Sequence, residues 1–349
     1  MKHTAIRLRS EEFDFPLPRE RVALHPKPFE EQKLLVYDRA QKSIEHRLFR
    51  DLAAILHAGD LLVVNDSKVV PAALWRGDGK EILFMEPTRP GLENIKAICP
   101  PKTRVGITWD LPGARFIVKD HVAGSVFRGD LHPDEPFASL QDFLQKYGTV
   151  PIPPYLKRRP EERDATDYQT VFAKYAGSIA CPTAGLHFNE DLIARLKQGG
   201  VDLATITLHV GYGTFKGFKT EFVDEHVPDA EPYHVTLHSL QTIGRAMREE
   251  RRVIAVGTTV TRVLESIPDE LENFDRVTAD LDGAASLFIY PPFQFKVIDG
   301  LITNFATPKN PVMSLAAAFI GLEQIKTIYQ AGLEKDYAFY TYGDALLAI

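Results

Sequence analysis

Cysteine is almost absent from this chain: only Cys99 and Cys181 occur in 349 residues, far apart and in no C-x-x-C pairing. That excludes a disulfide framework and a cysteine-built zinc site, and it fits a reducing, cytoplasmic setting. Cys181 is expected to be a small buried thiol, with a nucleophile as the alternative. A surplus of positive charge is missing too, since 41 Lys and Arg against 47 Asp and Glu leave a net charge of −6. A generic polyanion binder needs clustered cations, so any nucleic acid would have to meet a local strip. Lys157-Arg158-Arg159 with Arg163 is one such strip, and Arg245, Arg248, Arg251 and Arg252 form another. A solvated loop or helix face accounts for either equally well. No apolar run is long enough for a bilayer. The longest, Val312–Leu322, falls far short, and MKHTAIRLRSEEFDF holds no signal-peptide core. No membrane association is expected, and neither repeats nor low-complexity segments occur.

What is present is an ordinary globular composition, 44% hydrophobic and 25% charged, in a chain long enough for two domains. Between 76 and 151, short strands (Lys80–Phe84, Ile95–Ile98, Val105–Thr108, Arg115–Val118, Ser125–Arg128) alternate with Pro/Gly turns, and a helix at Ser139–Tyr147 closes the segment. That pattern predicts a small all-β barrel. The flanks, 1–75 and 152–349, alternate strand and helix. The expected fold class is α/β, a larger barrel-like α/β domain carrying 76–151 as an inserted all-β domain.

Chemistry concentrates in 180–215, ACPTAGLHFNEDLIARLKQGGVDLATITLHVGYGTF. Asn189 caps a helix that Gly199-Gly200 ends, and Val201–Val210 alternates as a strand. Its two flanking loops each set a histidine, His187 or His209, beside glycines whose N–H groups can approach an anion. Asp60–Val64 predicts a buried strand ending in Asn65-Asp66, acceptors for ribose hydroxyls or a base edge, although Asn and Asp also favour plain turns. Lys216–Val235 reads as a long acidic connection containing His226 and Glu231, suited to acid/base work or to solvated charge. A metal site is not expected there. Strand, Gly257-Thr258-Thr259, helix is an anion-receiving arrangement without the lysine of a P-loop. Strands are also predicted at Ser286–Tyr290 and Phe295–Ile298.

Several long motifs stand in order: FDFPLPRE, NDSKVVPA, PIPPY, YQTV, PTAGLHF, LHVGYGTF, GTTVTRVLES, DGLITNF and YGDALL. Together they resemble the S-adenosylmethionine:tRNA ribosyltransferase-isomerase family of queuosine synthesis, across essentially the whole chain. Departures fall on polar positions. Lys68 and Ala73 stand where that family usually has arginines, and Asp229 and Ala306 stand where it has histidines. The resemblance implies transfer and isomerisation of the ribosyl part of S-adenosylmethionine onto a 7-aminomethyl-7-deazaguanine base of tRNA, giving epoxyqueuosine, adenine and methionine. It implies S-adenosylmethionine as co-substrate without a further cofactor, tRNA as partner, and a monomer. The departures leave open a paralogue with another acceptor, or a non-catalytic nucleotide- or tRNA-binding protein. On this reading His187 or Glu231 is the base and His226 supports proton transfer. Asn65, Asp66, His209, Gly211, Gly213, Thr214 and Phe215 seat the nucleoside, and Thr258, Thr259 and Arg262 take the methionine carboxylate. Tyr168, Thr183, Gly185, Asn304 and Lys309 join the substrate-binding set through the motifs that contain them.

Overall fold

The computed structural model describes residues 7–349. The larger unit is built on a nine-stranded mixed sheet. Its strand order is 281–285, 231–235, 202–208, 61–65, 253–256, 300–304, 345–348, 33–38, 43–48. Leu61–Asn65 and Val253–Val256 are buried at every position, as expected for strands covered on both faces. Their alternation sorts the core. Leu61, Val63, Val253 and Ala255 face an apolar cluster under helices 237–248, 311–320 and 322–334. Leu62, Val64, Ile254 and Val256 face the opposite cluster, under the helix Glu190–Gln198. That helix starts where Asn189 accepts the Leu192 N–H at 2.8 Å, and it buries Leu192 and Leu196.

Strands 61–65, 202–208, 253–256 and 300–304 run parallel. Their carboxyl ends therefore deliver Asn65-Asp66, His209-Val210, Gly257 and Phe305 to one edge, where ligands bind in open α/β sheets. At that edge Gly257 takes φ +94° and ψ 156°, a region open essentially to glycine alone. An added Cβ there would meet only ordinary contacts, Ala184 at 3.5 Å and Thr259 at 3.6 Å. Gly257→Ala is therefore expected to cost about 1–3 kcal/mol from backbone strain, read by chemical denaturation.

The insertion is a six-stranded antiparallel sheet in the order 73–75, 81–84, 95–98, 126–133, 114–123, 108–111. It curls around its own core of Leu74, Phe84, Phe116 and Phe143. Its first strand, Ala73–Trp75, lies ahead of residue 76, and its helix, Leu140–Tyr147, is capped by Ser139.

Three segments of the larger unit depart from expectation. Glu231–Val235, read above as connection, is a strand paired with 202–208 and 281–285. Ser286–Tyr290 and Phe295–Ile298 form no strands, because side chains satisfy their backbone instead. Arg262 donates to the carbonyls of Ala285 (2.7 Å) and Leu287 (3.1 Å). The buried Glu265 carboxylate accepts the N–H groups of Lys296, Val297 and Ile298.

Candidate active site

A cleft of two connected lobes opens at this edge. The first encloses about 800 Å³ of open space and the second about 710 Å³. Val210, Thr214, Thr258, Thr259, Asn310 and Val312 line both and form the neck between them.

The first lobe holds most of the charge. Glu231 is buried at the start of its strand, where one carboxylate oxygen accepts the Gly211 N–H at 2.7 Å and the other accepts Arg262 at 2.5 Å. Burial raises the Glu231 carboxyl, and Arg262 and the Gly211 N–H oppose that rise. With its two carbonyl contacts as well, the Arg262 guanidinium is held in one orientation. His226 lies between the rings of Phe218 (5.4 Å) and Phe288 (4.7 Å), and no described group hydrogen-bonds its imidazole. Burial lowers its pKa, Asp229 raises it, and Arg262 and Lys216 lower it further. A neutral imidazole on the wall of a cleft is a ready proton acceptor. Asp229 pairs with Lys216 at 3.3 Å and sits so close to Gly213 that an added Cβ would come within 2.5 Å of its carboxylate.

The second lobe is aromatic and hydroxylic. Tyr155, Tyr168, Phe215 and Tyr340 supply rings, and Thr183, Thr303 and Thr341 supply hydroxyls. Tyr155 and Thr341 share a 2.5 Å hydrogen bond, and Tyr168 is 1% exposed. Asn304 donates from its amide to the carbonyls of Tyr340 and Thr341, both at 3.2 Å, which pins the strap that forms one wall. Cys181 also lines this lobe, and burial pushes its thiol up, so it is no thiolate.

Of the residues singled out in the sequence, the cleft brings together Glu231, His226, Gly213, Thr214, Thr258, Thr259 and Arg262 in the first lobe. Tyr168, Thr183, Phe215 and Asn304 lie in the second. Others stand behind the wall. Asn65 welds two strand ends, its carbonyl accepting Ser67 (3.0 Å) and Leu208 (3.1 Å) N–H and its amide donating to the Leu208 carbonyl. Asp66 is buried and accepts the Thr207 hydroxyl at 2.6 Å. Gly211 contributes its N–H to Glu231, and Gly185 packs against Thr170 and Phe172. His209 is half-buried against Gly177, where a Cβ would come within 2.6 Å of the ring. Lys309 is turned away, 3.1 Å from Asp14.

His187 is also off the cleft wall. It closes the short helical turn Thr183–His187, whose first residues line the lobe while the imidazole turns into the core. There it stacks on Phe49 at 4.8 Å, and its Nδ1 faces the Gln32 carbonyl oxygen at 2.9 Å. Burial depresses its pKa to about 4. The unfolded chain takes up a proton near 6.5 and the folded one does not until about 4. Stability is therefore full above 6.5 and falls through that window as pH drops, by about 3 kcal/mol in all. Denaturation series at pH 7 and pH 4.5 should show this acid loss, and His187→Gln should shed that part of it.

Sequence reasoning missed Tyr155, Phe288 and Asn310. Asn310 had a legible signal, because Asn before Pro marks a helix start. It caps Pro311–Ile320 by accepting the Val312 N–H at 2.9 Å.

A mixed α/β sheet with a cleft at its strand ends, one half aromatic and one half charged, is the arrangement of a small-molecule site. Comparison with known proteins gives the family. The family described as queuosine biosynthesis protein matches residues 10–348, and the chain belongs to that family. It is similar to the S-adenosylmethionine:tRNA ribosyltransferase-isomerase of Aquifex aeolicus, with 41% identity covering 98% of this chain and 100% of the relative. The enzyme of the same name from Chlorobaculum parvum is 42% identical over 97% of this chain and 99% of its own. Among solved structures, an S-adenosylmethionine tRNA ribosyltransferase from Thermotoga maritima superposes with a TM-score of 0.54. It is 29% identical and covers 97% of this chain and all of its own.

Proposed function

We infer that this chain is an S-adenosylmethionine:tRNA ribosyltransferase-isomerase. It transfers the ribosyl part of S-adenosylmethionine to the aminomethyl group of a 7-deazaguanine base in tRNA and isomerises it to the epoxycyclopentanediol, with loss of adenine and methionine. The observation that carries the site assignment is the divided cleft. The second lobe, with its rings and hydroxyls, suits adenine and ribose; the first, with its charge, suits methionine and the incoming base. C5′ and sulfur then fall at the neck, between the Thr258 and Thr259 hydroxyls.

The sulfonium acidifies the C5′ hydrogens, and His226 is the proposed base that removes one, since its imidazole is neutral and otherwise unengaged. Glu231 is proposed to hold Arg262 and the Gly211 turn in place and to present negative charge toward the sulfonium. Arg262 and Lys216 are the cations available to the methionine carboxylate. His187 is proposed as a core residue behind Asn304, away from the reacting atoms. All bond changes are transfers or isomerisations, so the proposal requires S-adenosylmethionine as co-substrate and no redox cofactor. No helix among the described residues is long and apolar enough to cross a membrane.

The test is single-turnover adenine release from S-adenosylmethionine, with tRNA carrying the aminomethyl-deazaguanine and with unmodified tRNA. Adenine only in the first case is the expected result. Absence of adenine there, or equal release with both, overturns the reading.

A further inference from the structure

We propose that Asp229 and Lys216 form a clamp for the amino-acid end of the co-substrate, Asp229 taking its α-ammonium and Lys216 its α-carboxylate. That this end is the methionine part of S-adenosylmethionine rests on the ribosyltransferase reading above. The clamp itself rests on which charges in the first lobe are free to be redirected.

Five titratable side chains line that lobe: Lys216, His226, Asp229, Glu231 and Arg262. Three of them have no charge to spare. The two oxygens of buried Glu231 are taken by the Gly211 N–H and by Arg262. Arg262 spends one nitrogen on Glu231 and the other two on the carbonyls of Leu287 and Ala285. Burial lowers the pKa of His226, so its imidazole is neutral. Lys216 and Asp229 differ. Among the described residues each side chain is hydrogen-bonded only to the other, Nζ to Oδ2 at 3.3 Å, and the two are 38% and 55% exposed. An exposed pair of this kind contributes little, so opening it to a ligand costs little. Asp229 keeps its second oxygen, and Lys216 keeps further N–H groups, for that ligand.

The turn Tyr212–Phe215, which follows the strand 202–208, positions both charges. The Lys216 N–H closes this turn on the Gly213 carbonyl at 3.0 Å. The Asp229 carboxylate lies over the same glycine, where an added Cβ would come within 2.5 Å of Oδ2 and 3.2 Å of Cγ. One turn therefore carries the cation at its end and leaves room for the anion above its glycine.

An α-amino acid bears its ammonium and carboxylate on a single carbon, so it presents opposite charges at the spacing of an ion pair. Set against Asp229 and Lys216, it completes a ring of four charges in alternating order. Charge-assisted hydrogen bonds of this kind are roughly twice as strong as neutral ones. The incoming base carries an amine as well, but that amine must be unprotonated to attack. A carboxylate holding it as an ammonium would oppose the transfer. The α-ammonium takes no part in bond making, and a fixed negative charge suits it. Asp229 stands where the family usually has histidine, so this wall carries a charge of its own.

The test is calorimetry on the enzyme saturated with unmodified tRNA, which has no amine to react. Three ligands are compared: S-adenosylmethionine, its analogue without the α-amino group, and its decarboxylated analogue. Binding is read rather than turnover because Asp229 also acts on the charge of His226. Asp229→Asn should weaken S-adenosylmethionine roughly ten- to a hundredfold and leave the deaminated analogue unmoved. Lys216→Met should weaken S-adenosylmethionine to a similar extent and leave the decarboxylated analogue unmoved. Gly213→Ala, whose Cβ would displace the Asp229 carboxylate, should follow Asp229→Asn. Thermal unfolding should be unchanged in Asp229→Asn and Lys216→Met, because the pair is exposed. Equal loss for all three ligands, or an S-adenosylmethionine affinity that neither variant moves, overturns the clamp alone. So does an Asp229→Asn effect confined to tRNA carrying 7-aminomethyl-7-deazaguanine, read by fluorescence anisotropy, which would assign the carboxylate to the incoming amine. A wild type that neither binds S-adenosylmethionine nor releases adenine with that tRNA removes the ribosyltransferase reading, and the clamp's ligand with it.

Discussion

His226→Ala should lose adenine release by roughly a hundred- to ten-thousand-fold in single turnover, with S-adenosylmethionine binding retained. The imidazole packs against two aromatic rings and has no described hydrogen-bond partner to lose, so removing it should leave the backbone as it is. His226→Gln keeps the polarity without the basicity and should remain as slow as alanine. The pH profile gives a second check. Burial lowers the pKa of this histidine, so rate governed by it should fall only below its ordinary range near 6.5. A variant that turns over at the wild-type rate would strike His226 from the mechanism.

The second large effect concerns stability. Glu231→Ala leaves Arg262 buried without its counter-charge and should cost about 3–5 kcal/mol in denaturant unfolding, with activity lost as well. Pairing Glu231→Leu with Arg262→Met removes both charges and should recover much of that stability. It should recover no activity, because the carboxylate facing the ligand and the guanidinium that braces 285–287 have both gone. Recovery of turnover in the double variant would mean that the pair serves packing alone.

The sequence made the strands, caps and glycine turns legible because these are local. The buried strand at Leu61–Val64, the Asn189 cap and the Gly199-Gly200 stop stand as the sequence implies. The loops that meet at the cleft were legible from the order of the motifs. The direction in which a side chain points was not. His187 and His226 carry the same chemistry on paper. Phe49 and Gln32, more than a hundred residues away, draw one inward, while Phe218 and Phe288 hold the other on the cleft wall. Glu231 read as an acid/base group or as a solvated charge, in either case within a connection. Strand pairing with 202–208 and 281–285, set by distant segments, is what buries it. Ser286–Tyr290 and Phe295–Ile298 failed in the opposite sense, because their apolar runs suggested ladders, whereas Arg262 takes the Leu287 carbonyl and Glu265 takes the N–H groups of 296–298.

The narrow waist of the cleft has a consequence for inhibition. On the proposed placement, a purine-like fragment on one side and an amino-acid-like fragment on the other would both touch Thr258 and Thr259, so each would change the surface the other meets. Tethering the two across that waist turns the second capture into an intramolecular event, and potency then depends chiefly on whether the tether spans the gap without strain.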